Sequence, residues 1–329
     1  MNGEQTASHW ARLEERGIYL GLRIMLGAYR LLGRGVFSVL LVPVMLYFFL
    51  AARTARHASQ QFLARAYETP EGRAALGKKP GARASFKHFY AFGQSILDKI
   101  AAWTGDITLK DVTLENSELF DEAMAQGRGL LLIGSHLGNM EVCRALSRRH
   151  EGLRLNVLVH TRHSENFSRL MREASPDAAV SLIQTTEVGP DTAIRLQQAV
   201  ERGEVVVIAG DRTPESGSGR LSLAPFMGHE APFPQGPYIL ASLLKCPVLL
   251  LFCVKHDGRY RISFEPFADM LTLPRARRAE VLEDCAARFA AKLEWHAKRA
   301  PYQWFNFFDF WRQGVKLTPP QNGPEKRGN

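Results

Sequence analysis

The stretch Gly129–Val142, GLLLIGSHLGNMEV, decides how the chain reads. An uninterrupted apolar run, Gly129 to Ser135, is too short for a helix and reads as a buried strand. The Gly-Ser-His-Leu-Gly-Asn segment that follows reads as a loop, and residues from Asn139 onward return to helical spacing. His136 is therefore expected in the loop at the carboxyl end of a strand. Glu141 is expected about one turn into the next helix, facing back towards that loop. A carboxylate beside an imidazole fixes its tautomer and stabilises the imidazolium that forms when it takes a proton, so such a pair suits activation of a hydroxyl. The bland alternative is a capping or hydrogen-bonded structural histidine.

Working outward, further short apolar runs at 155–161, 180–185, 204–210, 247–254 and 260–264 read as strands. Segments 139–149, 164–174, 191–201, 235–244 and 274–299 between and after them read as helices. Apolar strands separated by helices predict an α/β domain, with a sheet covered on both faces and ligands at the carboxyl ends of its strands. Ahead of the domain, Phe86, Phe89, Tyr90, Gly93, Leu97, Ile100 and Trp103 recur at helical spacing and predict an amphipathic helix. The Pro-, Gly- and charge-rich 67–83 reads as a linker or irregular loop.

Residues 36–52, VFSVLLVPVMLYFFLAA, form an uncharged run between Arg34 and Arg53. About 17 residues is the lower limit for crossing a bilayer, and Pro43 should kink a helix near its middle, so the segment spans or is re-entrant. Residues 18–32 read as an interfacial helix interrupted by Arg23 and Arg30. Membrane-anchoring helices are thus expected over 1–66, the catalytic domain over 67–316, and a disordered tail over 317–329. Among 329 residues, 42 Lys and Arg against 33 Asp and Glu leave a net charge of +9, which suits an anionic partner. Zinc-finger spacing and RNA-recognition motifs are absent, so a membrane surface is favoured over nucleic acid. Cys143, Cys246, Cys253 and Cys285 lack metal-site or disulfide spacing and read as buried thiols.

The segment GLLLIGSHLGNMEV resembles the His-x4-Asp/Glu block of glycerolipid acyltransferases. Its Glu version with the Gly-Asn spacer is most similar to the bacterial lipid A late acyltransferase family. Other blocks follow in order: Arg162-His163-Ser164-Glu165-Asn166, then Gly210-Asp211-Arg212, then Phe226-Met227-Gly228 through Pro237, then Pro247-Val248. The resemblance implies a mixed sheet flanked by helices. It implies acyl transfer without metal or cofactor, from an acyl carrier protein thioester to a glycolipid hydroxyl, at the cytoplasmic face of a bacterial inner membrane. It implies His136 and Glu141 as the catalytic pair and Arg162, Asn166, Asp211, Arg212 and Asn139 as substrate-positioning residues. Arg162 or the backbone N–H groups of 134–139 are the expected oxyanion donors.

Three features depart from the family pattern: His163 follows Arg162, the loop after Asp211 lacks a Gln and a second Asp, and residues 302–311 read YQWFNFFDFW. The last block is similar to acyltransferases of aryl polyene clusters, so another lipid acceptor stays open. Two rivals remain. A serine hydrolase at Ser135 lacks the nucleophile-elbow glycine spacing, and a non-catalytic lipid-binding protein has the same anchor.

Overall fold

The computed structural model describes residues 27, 33–143, 153–159, 180–184, 190–212 and 220–312. Helix α1 (Gly33–Ala51) continues unbroken past Pro43. It is followed by α2 (Arg53–Glu68), α3 (Pro70–Leu76) and α4 (Ala82–Thr104). The α/β part continues with β1 (Val112–Glu115), α5 (Ser117–Ala125), β2 (Leu131–Gly134), β3 (Leu155–Val159), β4 (Val180–Gln184), α6 (Pro190–Glu201) and β5 (Val205–Ala209). The β6–β7 hairpin (Leu221–Phe226, His229–Pro234), α7 (Gly236–Leu244), β8 (Val248–His256), β9 (Arg259–Ala268) and α8 (Arg278–Arg299) complete the order.

Seven strands form one sheet in the order β1-β9-β8-β2-β5-β3-β4. All neighbours are parallel except β8 and β9, which form an antiparallel pair, so the sheet is mixed as expected. Side chains alternate across it with period two. Leu131, Ile133, Val206, Ile208 and Leu250 enter one core with α2, α6, α7 and α8, whereas Leu132, Val205, Val207 and Leu251 enter a second core with α5. Burial on both faces is why these strands read as continuous apolar runs rather than as alternation.

The structure departs from the sequence reading in several places. Residues 70–76, assigned to a linker, form α3, because Thr69 accepts from Gly72 N–H at 3.0 Å as N-cap and Pro70 occupies the first helical turn. Residues 140–143 make a 3-10 turn where a helix was expected. Strand β1 and the β6–β7 hairpin were not anticipated. Helix α2, grouped with the membrane anchor, contributes Phe62, Leu63 and Ala66 to the main core. The expected helix at 18–32, apart from Gly27, the expected helix at 164–174, the side chain of Trp103 and the tail at 317–329 lie outside the described residues. All four cysteines are free and buried.

Candidate active site

Two neighbouring parallel strands create the site. β2 and β5 pair with Gly134 opposite Ala209, and the ladder runs one step further through Gly210 N–H to Gly134 O at 2.8 Å. The chains therefore leave the carboxyl end of the sheet side by side, and two residues on, His136 and Asp211 meet. His136 Nδ1 lies 2.8 Å from Asp211 Oδ1. The backbone N–H of His136 donates to Asp211 Oδ2 at 2.8 Å, and the Trp304 indole Nε1–H donates to the same oxygen at 3.0 Å. An ionised carboxylate only accepts, so the imidazole carries its proton on Nδ1 and keeps the lone pair on Nε2.

Burial pulls the His136 pKa below its usual 6.5; the Asp211 charge opposes this, and the Arg212 guanidinium reinforces it. Burial alone would raise the Asp211 carboxyl, yet the charge and hydrogen bonds of His136, with Arg212 nearby, hold it below the ordinary carboxylate range. The result is a neutral imidazole poised on an ionised carboxylate at neutral pH. The His136 side chain is 31% accessible and that of Asp211 only 2%, so the imidazole is partly open while its partner is sealed.

The loop around His136 is over-determined. Gly138 has φ +72°, and a Cβ there would sit 1.8 Å from the Cys253 carbonyl oxygen, so only glycine fits. The N–H groups of Gly138 and Asn139 donate to Gln303 O and Cys253 O, both at 2.8 Å. Leu137 N–H donates to Ser135 Oγ at 3.2 Å. With His136 N–H on Asp211, the four consecutive donors from 136 to 139 all have acceptors. That corrects the expectation that they are available to an oxyanion. Asn139 serves the loop itself: its Nδ2 donates to Ser95 O, and its Oδ1 accepts from Glu141 N–H.

The carboxylate held by Nδ1 is that of Asp211, not of Glu141 as the five-residue spacing suggested. The cause is local. Residues 140–143 tighten into a 3-10 turn, and the Glu141 side chain lines a cavity of about 50 Å³ with Leu132, Val207, Leu251, Phe120 and Met140. Ser135 is 2% exposed and holds the Leu137 N–H, so it is placed as a structural residue rather than a nucleophile. Arg212 donates from Nη2 to Phe305 O at 3.0 Å and lies 5.7 Å from the Phe308 ring centroid. Arg162, His163 and Asn166 lie outside the described residues. Among the described residues, no cluster of three or more His, Cys, Asp or Glu could hold a metal.

The C-terminal block closes the back of the site. Phe305 N–H donates to His136 O at 3.0 Å, and Leu137 and Trp304 form an antiparallel bridge. The Trp304 carbonyl in turn meets His88 Nε2 at 2.9 Å, and His88 Nδ1 meets Ser59 Oγ at 3.0 Å. Sequence reasoning saw only packing in Trp304. The pairing of Asp211 with His136 escaped it because adjacency of β2 and β5 is a property of sheet order, 75 residues apart in the chain.

A mixed sheet covered on both faces, with a histidine–carboxylate pair at its strand ends, is an α/β architecture of the kind that carries ligand sites at the carboxyl ends of its strands. Residues 83–313 match the family model described as bacterial lipid A biosynthesis acyltransferase, and the chain belongs to that family. It is accordingly an acyltransferase active on lipid-type substrates, and its long apolar α1 accords with membrane association. Among curated proteins, none matches the sequence.

Proposed function

We propose that the protein transfers a fatty acyl chain from an acyl carrier protein thioester to a hydroxyl of a lipid A-type or related glycolipid, at the cytoplasmic face of an inner membrane. The observation that carries this reading is the His136–Asp211 pair, which leaves Nε2 unprotonated on a partly accessible side chain. His136 Nε2 accepts the acceptor's hydroxyl proton as that oxygen attacks the thioester carbonyl carbon. Asp211 steadies the resulting imidazolium. The tetrahedral intermediate collapses by breaking the C–S bond, and the imidazolium returns its proton to the departing thiolate. No covalent acyl-enzyme intervenes.

Arg212 is the described cation whose field reaches both members of the pair, and it is assigned to the developing oxyanion, with Arg162 as the second candidate. Asn139 holds the loop, and Asn166 remains a candidate for acceptor positioning. The apolar cavity beside the 140–143 turn supports a place for the acyl tail, with Glu141 in its lining. The basic surface suits an acidic carrier protein.

Mass spectrometry of lipids from cells expressing wild type or His136→Ala, backed by reconstitution with acyl carrier protein thioesters, tests the proposal. His136→Ala should lower turnover by at least ~100-fold. The wild-type acid limb of kcat/KM should lie below pH 6.5, since the pKa of the base is depressed. Near-normal turnover in the variant rejects His136 as base.

A further inference from the structure

Helix α1 is apolar enough to cross a bilayer, yet its packing points elsewhere. It runs antiparallel to α4: Arg34 pairs with Asp98, Leu41 and Met45 face Gly93, and Phe49 meets Phe86 and Phe89 edge-on, with centroids at 5.7 and 5.4 Å. A Cβ on Gly93 would come within 2.8 Å of Met45 Sδ, so the glycine sets the close approach of the two helices. The docked stripe of Leu41, Met45 and Phe49 is buried with Phe89 and Leu97. From Arg34 to Phe49 the contact extends about 22 Å at 1.5 Å per residue.

α4 is fastened to the catalytic domain at both ends of that contact. Near one end, Asp98, 1% exposed, accepts from Lys255 Nζ at 2.8 Å and Tyr260 Oη at 2.5 Å, and Ser95 O holds Asn139 of the catalytic loop. Near the other, His88 meets the Trp304 carbonyl. If α1 crossed the bilayer, these two fastenings would be separated along the membrane normal inside a hydrocarbon layer only ~30 Å thick. The charged cluster around Asp98 and the active-site loop would then lie in or against lipid tails, where ionised groups are strongly disfavoured.

The opposite side of α1 completes the picture. Of the fifteen large apolar residues exposed on the described protein, nine lie between Val36 and Leu50. Arg34, Arg53 and Arg56 bracket this surface. An ordinary interfacial helix keeps a polar face for the headgroups; here α4 and the domain behind it occupy that position. We propose that α1 lies in the plane of the membrane, sunk into one leaflet of anionic bilayer by its exposed face, and does not span it. The Arg34 end then rests beside the turn of α4 that holds Asn139, so a lipid acceptor reaches His136 laterally from the same leaflet. The orientation of α1 follows from its packing and does not depend on the acyltransfer chemistry.

The full-length protein is tested as Gly35→Cys and Thr54→Cys, both exposed positions flanking the apolar face. A membrane-impermeant maleimide is applied to inverted inner-membrane vesicles and, separately, to intact spheroplasts, with the parent protein and its four buried cysteines as blank. Labelling of both sites from one and the same side is the expected result; labelling from opposite sides overturns the proposal. Spin labels at Val39→Cys and Leu46→Cys, in vesicles of phosphatidylethanolamine and phosphatidylglycerol, give a second reading. Equal immersion depth supports an in-plane helix. A depth difference approaching the ~10 Å rise between the two positions overturns it.

Discussion

Two segments of this chain are alike in composition and opposite in fate. Residues 36–50 and 301–311 are both rich in large apolar side chains, yet most of the first are exposed whereas Trp304, Phe305 and Phe310 are buried. The second segment carries polar atoms with assigned partners. Trp304 Nε1–H serves Asp211, Gln303 Oε1 accepts from Lys255 N–H at 2.8 Å, and Gln303 Nε2 donates to Lys255 O at 2.7 Å. Beyond the Arg34–Asp98 pair, the polar contacts made to helix α1 fall on its backbone: Ser38 O accepts from Tyr90 Oη, and Phe49 O and Leu50 O accept from Arg56, while its exposed side chains are almost all apolar. The difference teaches that apolarity sends a segment out of water, while polar atoms with a defined geometry decide whether it goes into protein or into lipid.

Truncation should separate the two most sharply. Trp304 lies between the Phe62, Phe226 and Phe310 rings, with centroids at 4.7, 5.1 and 4.8 Å, and is fully buried. Trp304→Ala should cost about 3–5 kcal/mol of stability, as cavity-forming aromatic deletions do. Phe48→Ala, at a residue 52% exposed, should stay within about 0.5 kcal/mol in denaturant unfolding of detergent-solubilised protein. Similar losses in both variants would mean that α1 is packed more extensively than its exposure indicates.

A second contrast is acid sensitivity, which belongs to the Trp304 side alone. His88, buried between Ser59 and the Trp304 carbonyl, has its pKa lowered to about 4, first by burial, with the carbonyl hydrogen bond opposing. Its neutral form is favoured by folding. The associated stability is fully present above pH 6.5 and is lost as pH falls from 6.5 through about 4. The shift corresponds to about 3 kcal/mol. Gln at this position can still donate to the carbonyl but does not titrate, so His88→Gln should flatten the fall in stability across that window. An unchanged slope would show that other groups govern acid unfolding.

The sequence made the fold legible where burial is most continuous: β2, β5 and β8 are runs of Leu, Ile and Val, and α4, α6, α7 and α8 keep helical spacing. It failed where pairing geometry decides. Leu221–Pro234 contains three prolines and an exposed Leu223, and it pairs as a hairpin because Met227 and Gly228, both with positive φ, reverse the chain. His136 was legible because the loop that carries it is contiguous with its strand. The carboxylate at its Nδ1 was not legible, because nearness in sequence favoured Glu141, whereas sheet order brings Asp211 there. Arg212 and Asn139 were found through resemblance, with their actual contacts invisible to spacing.

The finest test keeps the aromatic block packed and removes one hydrogen. Trp304→Phe retains most ring contacts and deletes the Nε1–H donor, leaving Asp211 with two donors, both from His136. A hydrogen bond to a charged group contributes about 1.5–3 kcal/mol. The same donor fixes the carboxylate's orientation, so its loss should misalign the pair and lower kcat by about tenfold with KM unchanged. The pH profile distinguishes this from a packing defect. A less satisfied carboxylate holds the imidazolium more tightly, so the His136 pKa rises and the acid limb of kcat/KM moves upward. A drop in kcat with the limb unmoved would make Trp304 a filler of space, as its sequence context alone suggests, and would place the support of Asp211 entirely in the His136 loop.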